Sequence, residues 1–378
     1  MASVQPRPAR RLHRRKKVTL VTALVAIAVA CYASFASFRD ASATIPDVPL
    51  ERRAMHHAER ERHHRASDDE ATDGAATATV GPRLDASKPV FASFVSNGFH
   101  EFMLHWYASL RDVGVESNVV VAALDAATEK ICQENNVPYY SDANLQYTHE
   151  VMATGGTPLH DIAQTKKVTN DGRAFQQIGA LKAGFLSYLL KQGHTVLVSD
   201  VDVTWLKDPR IWLRGAMGET EVDMATSTDC LLASNWDTKA CWSTAFNTGI
   251  LYLKPTEHTK AFLDEWRVKL ETTDNKNEHD QDIFNRMLRE HEGENVETIG
   301  VANEIQVKSM SEGVKLKVGL LSMRLFASGH TYFVQKLHER TPTYEPLAVH
   351  TTYQFSQARG KRQRLRESML WKGDSDAY

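Results

Sequence analysis

Thr195-Val-Leu-Val-Ser-Asp200-Val-Asp202-Val-Thr-Trp205-Leu-Lys-Asp-Pro209 runs from a short apolar segment straight into two carboxylates spaced by one residue. An apolar run of this length without polar alternation reads as a buried strand, and the Asp-x-Asp reads as a turn past its carboxyl end. In open α/β sheets ligands bind at that end. Two carboxylates so placed suit a hard divalent ion that bridges the oxygens of a diphosphate. Asp280/Asp282 and Asp374/Asp376 repeat the spacing, but neither pair follows an apolar strand.

Upstream, the pattern alternates. Val90 to Ser96 is an apolar run ending in Asn97-Gly98, and an amphipathic stretch covers 101–113. A second buried strand spans 118–124, followed by a helical stretch over 126–135 and a helix over 174–191 that stops at Gly193. This alternation predicts an α/β domain with a largely parallel sheet. Residues 141–172, rich in Gly, Thr, Asn and Asp, read as a mobile loop.

The N-terminus carries a different signal. Arg7, Arg10, Arg11, Arg14, Arg15, Lys16 and Lys17 precede 21 uncharged residues, Val18 to Phe38, and no acidic residue occurs before Asp40. At about 1.5 Å per residue such a run spans a bilayer of roughly 30 Å. The basic flank then leaves residues 1–17 cytosolic and everything downstream lumenal. A cleaved signal peptide, with Ala41-Ser42-Ala43 as its site, or a transit peptide is the alternative, although signal apolar regions are shorter. Residues 39–88, with three prolines, a Glu/Arg/His block and an Ala/Thr tract, read as a stem that builds no core. The expected organisation is therefore tail 1–17, anchor 18–38, stem 39–88 and catalytic domain 89–378. A net charge of −2 gives no reason to expect nucleic acid as a partner. In an oxidising lumen Cys230 and Cys241 can close a loop, leaving Cys132 free and buried.

Four further segments carry polar groups at structured positions. Asn247 and Gly249 open the apolar run 245–255, where a glycine permits close backbone approach to a ligand. His279-Asp280-Gln281-Asp282 opens a helix, and Ser328-Gly329-His330 lies between apolar flanks. His350 ends a short apolar run and precedes the cationic stretch Gly360-Lys361-Arg362-Gln-Arg364-Leu-Arg366. A haloacid-dehalogenase-type magnesium phosphatase would also use Asp200-Val-Asp202-Val-Thr204. It needs a later strand ending in an acidic pair, and Asp374/Asp376 follows no strand.

Taken together, these strings resemble glycosyltransferase family 77, the nucleotide-diphospho-sugar transferases, over roughly residues 90–372. Within that family the chain is similar to plant and green-algal arabinosyltransferases that act on hydroxyproline-rich cell-wall glycoproteins. Asp200-Val-Asp202…Trp205…Pro209, Ser328-Gly-His-Thr-Tyr-Phe-Val-Gln335, Val349-His-Thr-Thr-Tyr353 and Gly360-Lys-Arg-Gln-Arg-Leu-Arg-Glu367 carry the resemblance. His279, where relatives have Trp, and the segment 230–242 depart from it.

The resemblance implies a GT-A fold in a Golgi type II membrane protein, with a UDP-sugar as donor and a glycan or glycoprotein as acceptor. Asp200 and Asp202 would form the metal and donor turn, and His350 would complete the coordination of manganese or magnesium. Lys361 would lie near the diphosphate and Gly249 beside the nucleotide sugar. Lys182 would be a donor contact, or else a salt-bridged surface lysine. Asn247, Asp280 and Gln281 would face the sugar as the catalytic set; the alternatives are a turn-stabilising Asn247 and an N-capping role for the other two. His330 would contact the acceptor, or be a hydrogen-bonded core histidine. L-Arabinofuranose is the implied sugar, with xylose or galactose as alternatives.

Overall fold

Val90–Val95 (β1) and Val119–Ala123 (β2) are almost wholly apolar and buried, as strands covered on both faces must be. They pair in parallel, with Phe91 opposite Val119. Helix α1 (His100–Asp112) joins them. After β2, Asp125 caps α2 (Ala126–Glu134) by accepting the Thr128 N–H at 2.8 Å. The next strand, β3 (Tyr139–Ser141), pairs in parallel with β2. Helix α3 (Gly172–Lys191) ends before Gly193, whose φ of +84° supplies the left-handed residue expected there. Strand β4 (Val196–Ser199) then pairs with β1 on the side away from β2. The chain thus reverses its direction of travel across the sheet at β1/β4. The carboxyl ends of two such strands form the crevice where α/β sheets take ligands.

The structure, a computed structural model, describes residues 81–96, 98–141, 172–213, 222–232, 239–275, 277–290, 298–302, 305–309, 316–340 and 345–373, with backbone alone for 172–175, 239–240, 298–302 and 305–309. The expected cytosolic tail, the anchor 18–38, most of the stem and most of the predicted mobile loop lie outside these residues. Among the described residues no helix is long and apolar enough to cross a membrane.

Downstream of β4 lie β5 (Val203–Trp205), α4 (Pro209–Trp212), β6 (Met224–Thr228), β7 (Phe246–Leu253), α5 (Glu257–Thr272) and α6 (Asp280–Glu290). The chain continues through β8 (Thr298–Ala302), β9 (Ile305–Ser309), β10 (Lys317–Leu321), β11 (Phe326–Ser328), α7 (Leu337–Arg340), β12 (Ala348–His350) and α8 (Gln357–Glu367). The main sheet has nine strands in the order β3-β2-β1-β4-β7-β6-β10-β9-β8. The expected largely parallel sheet is corrected here: β7 runs antiparallel to both β4 and β6, and β9 to both β8 and β10. An apolar run carries no mark of its direction. The reversal has a consequence, because the first residues of β7 now lie at the edge where β4 and β6 finish. A second sheet, β11-β12-β5, stands beside that edge.

Two apolar layers cover the main sheet. On one, Phe284 of α6 meets Phe262 and Trp266 of α5 edge-on, at 5.4 and 5.2 Å between ring centroids. On the other, Trp106 and Phe102 of α1 are buried, and Trp371 packs on Phe102 at 5.2 Å and stacks on His105 at 4.8 Å. Phe284 is fully buried and anchors the helix that begins with Asp280 and Gln281. Phe284→Ala is expected to cost about 3–5 kcal/mol of stability, read as a lowered urea midpoint with an unchanged slope.

Candidate active site

The acidic turn is fixed before any ligand arrives. Ser199, the last residue of β4, accepts the Trp106 indole N–H on its Oγ at 2.7 Å, and its carbonyl accepts Ser93 Oγ at 2.7 Å. The Asp200 N–H donates to the Gly249 carbonyl at 2.8 Å, and Val203 N–H closes the turn onto the Asp200 carbonyl at 3.1 Å. The chain then enters β5, whose antiparallel partner β12 places His350 opposite Val203. Thr351 locks the junction, donating to the Asp202 carbonyl from its N–H at 3.0 Å and its Oγ1 at 2.7 Å. From α1, His105 supports the same strand. Lys372 N–H donates to its Nδ1 at 3.1 Å, so Nε2 carries the proton toward Thr204 Oγ1, 2.7 Å away. Burial lowers the His105 pKa to about 4, consistent with this neutral form.

Each carboxylate of the turn divides its two oxygens in the same way. Lys182 Nζ lies 3.3 Å from Asp200 Oδ1, and Lys361 Nζ lies 2.5 Å from Asp202 Oδ2. The opposite oxygens face one imidazole nitrogen: His350 Nε2 is 3.8 Å from Asp200 Oδ2 and 3.3 Å from Asp202 Oδ1. Burial opposes ionisation of Asp202, but His350 and Lys361 outweigh it and hold the carboxyl well below its usual range. Burial likewise opposes the charged forms of His350 and Lys361, and Asp202 overrides it, raising both pKa values. One ligand atom from each of Asp200, Asp202 and His350 falls within 4.8 Å of the others. Two oxygens and an imidazole nitrogen fit a divalent ion such as manganese, which would replace the proton on His350.

Lys182 is salt-bridged, but it is no surface residue: its side chain is 2% exposed. It donates to the Thr248 carbonyl at 3.0 Å, lies over the Phe94 ring at 4.6 Å, and is 3.7 Å from Asp280 Oδ2. One helical turn earlier, a Cβ on Gly179 would lie 2.8 Å from Asp280 Cβ, so the glycine makes room for Asp280. At Gly249 the close approach expected of a ligand is made by the protein itself. A Cβ there would lie 2.1 Å from His350 Cε1 and 2.9 Å from Asn247 Oδ1. Gly249 therefore determines where the His350 ring can sit.

Asn247, Asp280 and Gln281 come together at the start of β7. Asn247 Nδ2 donates to Asp229 Oδ1 at 2.9 Å, and its Oδ1 accepts the Gly249 N–H at 2.9 Å. Gln281 Nε2 donates to Asp229 Oδ2 at 3.0 Å, while Asp280 Oδ2 accepts from Thr248 Oγ1 at 3.2 Å. The capping alternative for Asp280 and Gln281 falls to Asp282, whose Oδ2 accepts the His279 N–H at 2.9 Å. Asn247 lies within β7, next to the register shift against β6, so its bond to Gly249 is internal to the strand and not part of a turn; its amide also faces Asp229. His330 is half-buried, with Nδ1 3.2 Å from Gln335 Nε2 and its ring edge-on to Tyr353 at 5.9 Å.

Sequence reasoning passed over Asp229, which joins Asn247 and Gln281. The signal was modest: a carboxylate directly after the strand Met224–Thr228 and before Cys230. Cys230 and Cys241 form a disulfide with Cα atoms 5.3 Å apart. Cys132 is free and buried, and burial pushes its thiol up to about 12.

A model of the nucleotide-diphospho-sugar transferase family matches residues 114–365. The chain belongs to this family. Its membership displaces the phosphatase alternative, whose late acidic pair lies outside the described residues. Within glycosyltransferase family 77 the chain is similar to Arabinosyltransferase XEG113 of Arabidopsis thaliana, 30% identical over 293 residues, covering 76% of this chain and 41% of the relative. It is 24% identical to UDP-D-xylose:L-fucose alpha-1,3-D-xylosyltransferase 3 of the same plant, over 77% of this chain and 68% of the relative. The chain thus spans about two fifths of the length of XEG113. Among solved structures, the glycosyltransferase GlyE of Streptococcus pneumoniae TIGR4 aligns with a TM-score of 0.41 at 12% identity, over 76% of this chain and 60% of its own.

Two outcomes follow from the position of His350. Gly249→Ala displaces the ring and is expected to weaken manganese binding about 10–100-fold, read by titration of the ion against the full chain. Because the ion takes the neutral imidazole, binding releases a proton. The raised pKa of His350 therefore makes manganese affinity fall as the pH is lowered and the proton competes with the ion, and His350→Ala removes most of that dependence in the same titration.

Proposed function

We propose that this protein is a metal-dependent, retaining glycosyltransferase that moves L-arabinofuranose from a UDP-sugar to a glycan on a hydroxyproline-rich protein. The observation that carries the reading is the cluster of Asp200, Asp202 and His350, backed by Lys182 and Lys361, at the carboxyl end of the β1/β4 crevice. Residues 89–378 are then a GT-A-type catalytic domain in the Golgi lumen, held by the anchor at 18–38. Several relatives named arabinosyltransferases support the choice of sugar. The xylosyltransferases among the relatives make xylose the second reading.

The reaction breaks the bond between the anomeric carbon and the diphosphate. Its electron pair moves onto the diphosphate oxygen, and the acceptor hydroxyl oxygen bonds to that carbon as its proton passes to the departing diphosphate. An ion held by Asp200, Asp202 and His350 supplies charge that offsets the diphosphate. Lys361, on the half-exposed flank of Asp202, adds a second cation for the same leaving group. Lys182, enclosed by Asp200, Thr248 and Asp280, holds the turn and Asp280 in register. Asn247 and Gln281 orient the sugar. Asp280 is the carboxylate placed to stabilise the positive charge that builds at the anomeric carbon, or to form a covalent glycosyl intermediate. Trapping such an intermediate by mass spectrometry separates the two routes to retention.

The test monitors UDP release from a panel of UDP-sugars by the full chain in detergent, with manganese and with hydroxyproline peptides bearing short arabinosides. UDP-L-arabinofuranose is expected to give manganese-dependent release, and Asp202→Ala to lower it by at least 100-fold. Release from UDP-xylose alone would replace the sugar. Release from no donor, with phosphate freed from simple monoesters, would overturn the transferase reading.

A further inference from the structure

Asp280 opens α6, so its carboxylate is placed by the residues that lead into that helix. Its own contacts are long. Lys182 Nζ lies 3.7 Å from Asp280 Oδ2 and Thr248 Oγ1 lies 3.2 Å from the same oxygen. A close charge-assisted bond would be about 2.7–2.9 Å. The side chain therefore does not place itself, and the backbone before it must do so. That backbone folds partly on its own side chains. Thr273 Oγ1 donates to Glu278 Oε2 at 2.9 Å, Arg286 Nη2 lies 3.2 Å from the same oxygen, and the Glu278 N–H donates to the Asn275 carbonyl at 3.1 Å. These bonds shape the approach to α6 but do not join it to the sheet edge.

The join is made by α3. Gln176, Gly179 and Lys182 follow one another at intervals of three and so run along one flank of that helix. All three meet the approach to α6, in order. Gln176 Nε2 donates to the Asn275 carbonyl at 2.6 Å and to the Glu278 carbonyl at 3.0 Å. Gly179 yields its side-chain volume to Asp280, and Lys182 reaches the Asp280 carboxylate. Helix α3 is itself fixed by the buried Ala183, Leu186 and Leu190, and by Ser187 Oγ, which donates to Asp264 of α5 at 2.8 Å. Trp266 of α5 adds an indole N–H to the Asp280 carbonyl at 3.1 Å. Gln176 is 3% exposed. A buried amide is kept where its hydrogen bonds are made, and both N–H groups here are committed to carbonyls of one segment.

We propose that Gln176 is a positioning residue for the transfer reaction: by holding the Asn275 and Glu278 carbonyls against α3 it sets Asp280 between Lys182 and Thr248. The proposal rests on the transferase reading above, in which Asp280 is the carboxylate that serves the anomeric carbon. Gln176 acts through that carboxylate and touches no reacting atom. Without its two bonds the approach to α6 keeps its internal contacts and the Trp266 bond, so the fold persists while the register of Asp280 loosens. A displacement of about 1 Å at a reacting group is enough to cost on the order of 100-fold in rate. The metal turn is supported independently, by Ser199, Gly249 and Thr351. Loss of Gln176 therefore separates the chemical step from metal binding.

Gln176→Met keeps the length of the side chain and removes both donors; Gln176→Glu keeps the shape and sets an acceptor against the two carbonyls. Each is made in the full chain in detergent and given UDP-L-arabinofuranose, manganese and the arabinosylated hydroxyproline peptide. In Gln176→Met the kcat for UDP release is expected to fall about 10–100-fold, and further in Gln176→Glu. Manganese and UDP affinities should stay within about threefold of wild type. On an Asp280→Asn background, Gln176→Met should lower kcat by less than about twofold more, because its effect passes through the missing carboxylate. Backbone amide exchange across 275–281 should quicken in Gln176→Met, a readout that needs no turnover. Wild-type kcat in both Gln176 variants would overturn the proposal, as would unchanged exchange across 275–281. So would a full additional loss on the Asp280→Asn background, a parallel loss of manganese affinity, or wild-type kcat in Asp280→Asn itself. Quickened exchange in Gln176→Met, with no UDP release from any donor by the wild-type chain, would instead break the transferase reading and leave the hold on Asp280 standing.

Discussion

Four carboxylates, Asp200, Asp202, Asp229 and Asp280, converge on one edge of the sheet, and the site exists only because their charge is locally compensated. Lys182 is the most constrained of the compensating groups. It is buried, and its ammonium touches Asp200, Thr248 and Asp280 at once. A buried charge without partners costs several kcal/mol, and the two aspartates with the Thr248 carbonyl together offset that penalty for Lys182. Lys361 and His350 do the same for Asp202 from the other side. The arrangement leaves one oxygen on each of Asp200 and Asp202 turned toward the same imidazole nitrogen, a geometry that a divalent ion can adopt with little rearrangement.

Reaching that arrangement requires three separate returns of the chain. The parallel strands bring the ends of β1 and β4 together at the crevice. The antiparallel course of β7 brings Asn247 and Gly249 to the same edge, with Ser199 opposite Ile250. The small sheet then turns the acidic loop back through β5 to meet β12, so His350 arrives from the far end of the sequence. Gly249 is where two of these returns collide. The His350 ring occupies the volume that any side chain at position 249 would need.

These relations explain which parts of the sequence were readable. β1, β2 and β4 were legible because strands covered on both faces are continuous apolar runs, and Asp200/Asp202 were legible because they follow one. The direction of β7 was not, since pairing partners lie outside the strand's own residues. Lys182 stands among Ala180, Leu181, Ala183, Phe185 and Leu186, all buried, so the apolar pattern around it argues against a surface position. His350 and Lys361 were found by resemblance. No spacing rule connects them to Asp202, because the second sheet makes that connection. Asp229 was missed because a single aspartate after a strand has no periodic or motif signature; only its partners identify it.

Those partners also settle a point of chemistry. An ionised carboxylate accepts hydrogen bonds and donates none. Asp229 therefore requires the NH2 ends of both Asn247 and Gln281, and each amide must turn its carbonyl oxygen the other way. Asn247 Oδ1 then receives the Gly249 N–H, and Gln281 Oε1 faces the Thr248 N–H at 3.4 Å. The orientation of two amides at the start of β7 is thus dictated by one acidic side chain. Its own position is fixed by the Asp229 N–H bond to the Ala245 carbonyl at 3.0 Å, by the Tyr353 hydroxyl, and by the disulfide that begins at the next residue. The wall of the site is built so that polar groups face inward with predetermined donors and acceptors, a preorganisation that the proposed transfer to a hydroxyl would exploit.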